Sequence, residues 1–149
     1  MNKAIFLFAI LYGFFSFAQN QQTKNAVYTS ISDIPHYALL KTRLKLDDVV
    51  IQADQAPEFP GGMSAFQRKF AEKMDNVELK HTQKLDTRIY FIVEKDGYIR
   101  NVAAIGSDKK HAEAAELGLK RIFTRWQPAT IGGKKVRFLY TFPLSTKKY

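Results

Sequence analysis

The chain of 149 residues contains no cysteine and carries a formal net charge of +9 at pH 7. The lack of cysteine excludes a disulfide scaffold, a thiolate metal site, a cysteine nucleophile and a lipid-modified cysteine behind a signal peptide. The length suits one ordinary domain with a short leader, and we do not expect two domains.

The first 18 residues have the pattern of a secretory signal peptide. Lys3 precedes an apolar run of 14 residues from Ala4 to Phe17, and Ser16 to Ala18 supplies the small residues that signal peptidase needs. An uncleaved membrane anchor is the alternative, but a bilayer span takes about 20 apolar residues. We therefore predict cleavage after Ala18, a periplasmic or secreted location, and no stable membrane insertion.

The basic side chains are concentrated near the C-terminus. Residues 107–149 contain ten Lys or Arg against the three acids Asp108, Glu113 and Glu116. Such a positive region attracts acidic partners. For an exported protein we expect an acidic peptide segment or an anionic envelope polymer, and no nucleic acid; the alternative is that these cations only solvate the surface.

Residues 19–48 are predicted to form a partly disordered leader. The stretch from Gln19 to Asn25 is polar and has no core to join. Between Asp33 and Leu46 the leucines favour a short helix after Pro35, although extended structure also fits. Val49 to Ile51 then predicts a short strand.

A loop and a helix are predicted next. Pro57 to Gly62 cannot continue a regular element, because proline lacks an amide donor and glycine permits positive φ. Ser64 followed by Gln67 has the spacing of a capping box, so we predict that the helix begins there. The apolar residues from Phe66 to Met74 recur at intervals of four and give this helix one apolar face.

A β-hairpin is predicted in the middle of the chain. Arg88 to Glu94 contains five apolar residues in succession, which is typical of a central strand covered on both faces. Asp96 and Gly97 give the signal for a tight turn. Ile99 to Ile105 returns as the next strand.

The last two predicted elements are a helix and a strand. The helix runs from about His111 to Trp126, where apolar residues fall at helical spacing, and Pro128 stops it. Ile131 to Gly133 turns the chain. Val136 to Phe142 alternates in hydrophobicity, which predicts a strand with one apolar face, and Pro143 ends it.

These elements predict an α+β domain at residues 49–145, followed by a basic tail at residues 146–149. The expected architecture is a three-stranded antiparallel sheet with two helices packed on one face, plus a short N-terminal strand and helix segment. Tyr90 and Ile92 make the second face apolar. Either residues 31–50 or a second copy of the domain, in a homodimer, should cover that face.

Several short motifs occur in a fixed order and spacing. They are Pro57-Glu58-Phe59-Pro60-Gly61-Gly62, Phe91-Ile92-Val93-Glu94-Lys95-Asp96-Gly97 with Ile99, Trp126-Gln127-Pro128-Ala129, and Gly133-Lys134-Lys135-Val136 with Pro143. Over roughly Val49 to Leu144, the sequence resembles the C-terminal domain of the TonB energy-transducer family, in the form common in Bacteroidetes. The resemblance implies a three-stranded sheet with two helices, shaped by these motif residues.

In that family the domain grips a short segment of an outer-membrane receptor, which adds as a strand beside the last strand of the domain. Carried onto this sequence, the implied binding edge consists of Lys135, Val136, Arg137, Phe138, Leu139, Tyr140 and Thr141, and continues to Phe142. Lys135 and Arg137 would favour an acidic segment. The implied partner is a protein, either an outer-membrane receptor or transporter segment or another transducer component.

The sequence departs from that family in two ways. An energy transducer needs an inner-membrane anchor and a proline-rich stem, and the chain has no proline between Gln19 and Ile34. We therefore expect a stand-alone exported form that does not transduce energy. The chain also has Asn76 and Val77 where a Tyr-Pro pair is usual, which predicts a longer or looser connection up to Asp86.

We find no catalytic constellation, metal site or cofactor motif in the sequence. His36, His81 and His111 lack the i, i+4 spacing of a shared zinc site. Ser64 lacks a nucleophile elbow and an evident histidine partner, and a core role is favoured for Trp126 over ligand stacking. We predict a non-catalytic binding module; the alternatives are a basic binder of lipopolysaccharide or peptidoglycan and, least favoured, a small hydrolase.

Overall fold

The computed structural model describes residues 28–78 and 85–144. Its regular elements are a 3₁₀ turn (Ile31–Asp33), α1 (Tyr37–Arg43), β1 (Val49–Val50), α2 (Gly62–Lys73), β2 (Arg88–Val93), β3 (Ile99–Ile105), α3 (Lys109–Lys120), β4 (Thr130–Ile131), β5 (Lys134–Lys135) and β6 (Arg137–Pro143). The predicted signal peptide, the leader before Tyr28 and the basic tail lie outside the described residues. Within the described residues, every helix is too short or too polar to cross a lipid bilayer.

Four strands form the main sheet, in the order β1, β6, β2, β3, while β4 and β5 form a separate small hairpin. β2 is antiparallel to both of its neighbours, and β1 runs parallel to β6. The predicted α+β class and the central position of β2 are confirmed. The predicted number of three strands in the sheet is wrong, because the two residues of β1 pair with β6 as a fourth strand.

One face of the sheet carries an aromatic core. The ring of Phe91 in β2 lies 5.7 Å, between centroids, from the rings of both Phe66 and Trp126. Both α2 and α3 contribute side chains to this cluster, so two helices cover one face, as predicted. Full burial of each such large apolar side chain stabilises the fold by about 1.5–3 kcal/mol.

The second face is covered by the N-terminal segment of the same chain. Its buried cluster consists of Ile34, Leu40, Leu44, Val49, Tyr90, Ile92, Ala103 and Leu139. The hydroxyl of Tyr90 donates to the carbonyl of Pro35 at 2.9 Å and lies 3.0 Å from Nδ1 of His36. Burial raises the pKa of Tyr90 to about 12, so this hydroxyl stays protonated and keeps its hydrogen bond.

This packing decides two alternatives that the sequence left open: what covers the second face, and whether the segment after Pro35 is helical. Residues 31–50, rather than a second copy of the domain, lie on the second face, so that face gives no basis for a homodimer. Residues 37–43 are helical rather than extended. The folded unit therefore includes the described part of the predicted leader and begins before the predicted boundary at Val49.

α2 begins at Gly62 rather than at Ser64, and the predicted capping box is wrong. Gly61 precedes the helix in the left-handed region, at φ +86°, and no side chain caps the helix start. The amide of Gly62 donates to the carbonyl of Phe59 at 2.7 Å. A residue with a Cβ is disfavoured at φ +86°, so the conformation at position 61 requires glycine.

α3 ends at Lys120, earlier than the predicted end at Trp126. Its start is fixed by Asp108, whose carboxylate accepts a hydrogen bond from the amide of His111 at 2.7 Å. Beyond the helix, the amide of Trp126 donates to the carbonyl of Gly97 at 2.8 Å. The segment from Arg121 to Trp126 is therefore not helical, although its apolar residues keep the spacing of the helix.

Candidate functional site

The candidate site lies on the outer side of β6, the side facing away from β2. β2 covers the inner side of β6 from Phe138 to Pro143, and the amide of Leu144 donates to the carbonyl of Thr87 at 2.8 Å. Backbone groups alternate between the two sides of an antiparallel strand. This bond therefore places the backbone amide and carbonyl groups of Leu139 and Thr141 on the outer side.

β1 covers only the beginning of that outer side, opposite Arg137 and Phe138. Along residues 139–143, no strand of the described part of the chain pairs with the outer side of β6. Pro143 has no amide to offer, which ends the row of donors. We call residues 139–143 the open edge.

The side chains of the open edge alternate between the two faces of the sheet, as predicted. Leu139 is buried in the second-face cluster. The ring of Tyr140 stacks on Phe91 with centroids 5.4 Å apart and planes within 6°, and burial raises the pKa of Tyr140. Oγ1 of Thr141 is buried and has no hydrogen-bond partner among the described residues.

Arg137 is engaged inside the domain. Its guanidinium binds the carboxylate of Glu94 with N–O distances of 2.7 and 3.0 Å, which raises the pKa of Arg137. It also donates to the carbonyls of Asp47 and Lys45, and its side chain is only 17% exposed. Arg137 therefore holds the chain ahead of β1 on the sheet, rather than facing an acidic partner as the resemblance implied.

Lys135 and Val136 lie outside β6. Lys135 belongs to β5 and pairs with Thr130 of β4, with its side chain exposed. The amide of Val136 donates to the carbonyl of Ala129 at 2.9 Å, which ties the hairpin to the preceding segment. The implied binding edge therefore reduces to the open edge, the part that has no neighbouring strand among the described residues.

The opposite edge of the sheet, β3, is capped by two side chains. Arg43 Nη1 donates to the carbonyl of Ala104 at 3.0 Å, and the amide of Ala104 donates to Glu116 Oε2 at 3.3 Å. Arg43 and Glu116 also form an ion pair at 2.5 Å, and Lys120 binds Glu116 at 2.7 Å. Burial raises the pKa of Glu116, but the hydrogen bonds from Lys120 and Ala104 outweigh burial and lower the pKa overall. We call Arg43 and Glu116 the edge cap.

A β-bulge further interrupts β3. The register between β2 and β3 shifts between Phe91 and Ile92, and Asn101 adopts φ +54°. Oδ1 of Asn101 accepts a hydrogen bond from the amide of Lys45 at 3.4 Å. Bulges and side-chain caps are devices that prevent an edge strand from pairing with another chain. β3 has both, whereas the described residues provide no such cap along the open edge.

The motif residues that carried the family resemblance meet away from the open edge. Glu58 and Gln127 exchange backbone hydrogen bonds at 3.0 and 2.8 Å. The rings of Phe59 and Trp126 lie 5.2 Å apart, and Trp126 is 2% exposed, so it is a core residue. A Cβ on Gly97 would lie 2.1 Å from the carbonyl oxygen of Trp126. These residues join the loop before α2 to the hairpin and the segment after α3.

The remaining motif residues occupy turns. Asp96 accepts a hydrogen bond from the amide of Tyr98 at 3.1 Å in the hairpin between β2 and β3, and Gly133 adopts φ +74° in the turn between β4 and β5. Pro128 is partly buried and Pro60 is exposed. All of these positions shape the fold.

The structure gives the positions of the histidines and the serine that the sequence analysis considered. Among the described residues, no cluster of three or more His, Asp or Glu side chains is placed to hold a metal ion. Ser64 lies inside α2 and is exposed. Nδ1 of His111 lies 2.7 Å from Oγ1 of Thr87 in the interior, and His81 is outside the described residues.

Comparison of the sequence with family models and with curated proteins identifies no relative. No protein-family model matches the sequence. No curated protein matches it significantly. Support for a function therefore comes from the geometry of the two sheet edges and from the motif resemblance.

Proposed function

We propose that the domain binds an extended segment of another protein, which adds as a strand along the open edge. The observation that supports this proposal is the difference between the two edges of one sheet. β3 carries the edge cap and a bulge, whereas β6 turns backbone groups outward beyond the end of β1. Proteins usually protect sheet edges because an unpaired strand pairs with other chains, so an unprotected edge suits strand addition.

The open edge sets the size and character of the segment. The outward carbonyl of Leu139 and the outward amide and carbonyl of Thr141 allow a short ladder, since the register of β1 with β6 directs the amide of Leu139 to β1. Each hydrogen bond contributes about 0.5–1.5 kcal/mol net. Side chains of the added strand would lie beside Tyr140 and Phe142 on one face, and both of these residues are partly exposed. An extended segment with an apolar or aromatic side chain on that face would fit best.

The resemblance to the TonB C-terminal domain supports the same binding mode. In this proposal the partner is a segment of an outer-membrane receptor or transporter, or another transducer component. The protein acts in the periplasm after removal of the signal peptide. Its role is binding rather than catalysis.

Thr141→Pro tests the proposal, because the amide of Thr141 points away from β2. The substitution removes an outward donor and leaves the donors that face β2 in place. Leu139 is a poor site for proline because it is only 3% exposed, inside the core. Thr141→Val is the matched control, since it keeps the amide and the side-chain shape.

The assay is capture of proteins from envelope extract by the exported form, residues 19–149, at low and high salt, with identification by mass spectrometry. We expect an outer-membrane protein at both salt concentrations with the parent chain and Thr141→Val, and its loss with Thr141→Pro. Circular dichroism and thermal unfolding establish that each variant is folded. Equal capture by the folded proline and valine variants would rule out the open edge.

Binding of an anionic envelope polymer is the second candidate. Lys134 and Lys135 are exposed on the small hairpin and pair with no acid among the described residues. By contrast, Lys109, Lys120 and Arg121 each pair with an acid, which reduces the free positive charge. This candidate predicts that the protein binds lipopolysaccharide and that the binding weakens as salt is added. The double variant Lys134→Gln with Lys135→Gln should bind lipopolysaccharide less tightly. Salt-independent capture of a protein would argue against this candidate.

A further inference from the structure

Pro143 is the residue at which the open edge ends. It lies opposite Arg88 of β2, so it belongs to the sheet rather than to the chain that follows it. Proline has no amide hydrogen, and within sheets it is confined to edge strands, to the first residue of a strand and to bulges. Of the motif residues that carried the family resemblance, Pro143 is the one that lies on the open edge.

The direction of the backbone groups follows from the bond between Leu144 and Thr87. The amide of Leu144 points to β2, 2.8 Å from the carbonyl of Thr87, so the carbonyl of Pro143, in the same trans peptide unit, points outward. The carbonyls of Leu139 and Thr141 also point outward, because the groups alternate along the strand. The register of β1 directs the amide of Leu139 to β1. The open edge therefore has three outward carbonyls but a single outward amide without a neighbouring strand among the described residues, that of Thr141.

This imbalance limits pairing of the open edge with a second copy of itself. In a two-fold dimer each copy has to supply amides for the carbonyls of the other. With one outward amide in each copy, the described parts of two open edges form at most two hydrogen bonds in any register. When Thr141 of each copy lies opposite Pro143 of the other, its carbonyl faces a proline ring where an amide hydrogen is needed.

An extended segment of another protein does not meet this limit. Its amides can donate to the carbonyls of Leu139 and Thr141, and one of its carbonyls can accept from the amide of Thr141, which makes three hydrogen bonds. Such a segment can also end before it reaches Pro143, whereas a second copy brings its own Pro143 and β1 with it. Because each hydrogen bond of about 1 kcal/mol changes a dissociation constant about fivefold, the open edge favours the segment.

We propose that Pro143 is the specificity-determining residue of the open edge, and that it selects an extended segment with free amides over a second copy of the domain. The choice of a segment rests on the proposed function, whereas the exclusion of a second copy does not. Proline is one of the devices by which proteins keep their edge strands from pairing with one another. Pro143 thus prevents self-association at β6 without closing β6 to a partner.

Pro143→Ala tests the proposal because it restores an outward amide at position 143. Antiparallel pairing of residue 143 with Thr141 of the second copy then allows four hydrogen bonds instead of two, so the association constant should rise about 25-fold. Sedimentation velocity of the exported form, residues 19–149, at up to about 1 mM measures this change. We expect a monomeric parent, a concentration-dependent dimer of Pro143→Ala, and slower hydrogen exchange of the amide at position 143 in that dimer.

A second variant and two controls keep the test decisive. Pro143→Val adds the same amide with a residue that favours strands, and circular dichroism establishes that each variant is folded. Pro60→Ala changes an exposed proline outside β6 and should leave the protein monomeric. Adding Thr141→Pro to Pro143→Ala removes the other outward amide and should abolish the dimer.

The proposal is overturned if folded Pro143→Ala and Pro143→Val both stay monomeric. It is also overturned if the parent chain dimerises as tightly as Pro143→Ala, or if the dimer persists when Thr141→Pro is added. None of these measurements contains a partner protein. Their outcome is therefore distinct from that of the capture assay with Thr141→Pro alone, which tests the proposed function.

Discussion

Replacing Glu116 by alanine tests the edge cap most directly. The substitution removes the acceptor for the Ala104 amide and the ion pairs with Arg43 and Lys120. The long hydrogen bond contributes about 1 kcal/mol. The Arg43 pair, discounted because Arg43 is partly exposed, contributes about 0.5 kcal/mol, and the Lys120 pair contributes about 0.3–0.5 kcal/mol. We therefore expect the free energy of unfolding to fall by about 2 kcal/mol.

Urea denaturation at pH 7 measures this loss, and Glu113→Ala is the matched control. Glu113 lies in the same helix and forms only an exposed ion pair with Lys109 at 3.8 Å, so its replacement should cost less than about 0.5 kcal/mol. Both variants gain the same helix propensity from alanine, which cancels in the comparison. Equal loss of stability in the two variants would refute the role of the edge cap.

The same substitution gives a test of pH dependence. The folded-state pKa of Glu116 is lowered, so its ionised form stabilises the fold above the unfolded pKa of about 4.3. This stabilisation is lost as the pH falls through the lower folded pKa. The difference in stability between the parent and Glu116→Ala should therefore narrow at acid pH, and a constant difference from pH 7 to about pH 3 would contradict this assignment.

The edge cap also has a predicted effect on association. Without Glu116, the outward amide of Ala104 is free to pair with another chain. Sedimentation velocity should then show concentration-dependent association of folded Glu116→Ala, and none of Glu113→Ala. A strictly monomeric Glu116→Ala, folded at high concentration, would show that the bulge alone protects β3.

Three further predictions concern single side chains. Gly97→Ala should destabilise by about 3 kcal/mol or more because its Cβ would strike a carbonyl at 2.1 Å, whereas Gly132→Ala, with positive φ but open space, should cost about 1 kcal/mol in the same urea assay. His111 has a pKa lowered by burial, so stability should fall as the pH drops below about 6.5, and His111→Gln should remove this slope; an unchanged slope would contradict the assignment. Thr141→Val should leave the free energy of unfolding unchanged or raise it by up to about 1 kcal/mol, because the buried hydroxyl has no partner among residues 28–78 and 85–144; a marked loss in thermal unfolding would contradict that.

The parts of the fold that were predicted correctly depend on local pattern. The apolar run of Arg88–Val93, the Asp-Gly turn and the strand Ile99–Ile105 lie next to one another in the chain, so their pairing needs no distant information. The predicted helix was too long because Trp126, which lies beyond the end of α3, bonds instead to Gly97, 29 residues away in the chain. Periodicity describes which side of the chain is apolar, but it does not reveal such a bond.

The candidate site shows the same division. Alternation along β6 was predictable, and the resemblance placed a binding edge there. The ion pair between Arg137 and Glu94 was not predictable from the sequence, because the two residues are 43 positions apart. The edge cap was also missed, since Arg43 and Glu116 are separated by 73 residues and neither lies in a recognisable motif.

The N-terminal segment explains why the two edges differ. Residues 31–50 cover the second face, and from there they reach both edges of the sheet. Arg43, at the end of α1, caps β3, whereas β1 covers β6 only as far as Phe138. Residues 31–50 therefore cap the β3 edge but leave the β6 edge uncovered beyond Phe138. Because its apolar residues are part of the second-face core, it cannot leave without exposing that core, so the asymmetry of the two edges is a stable property of the folded domain.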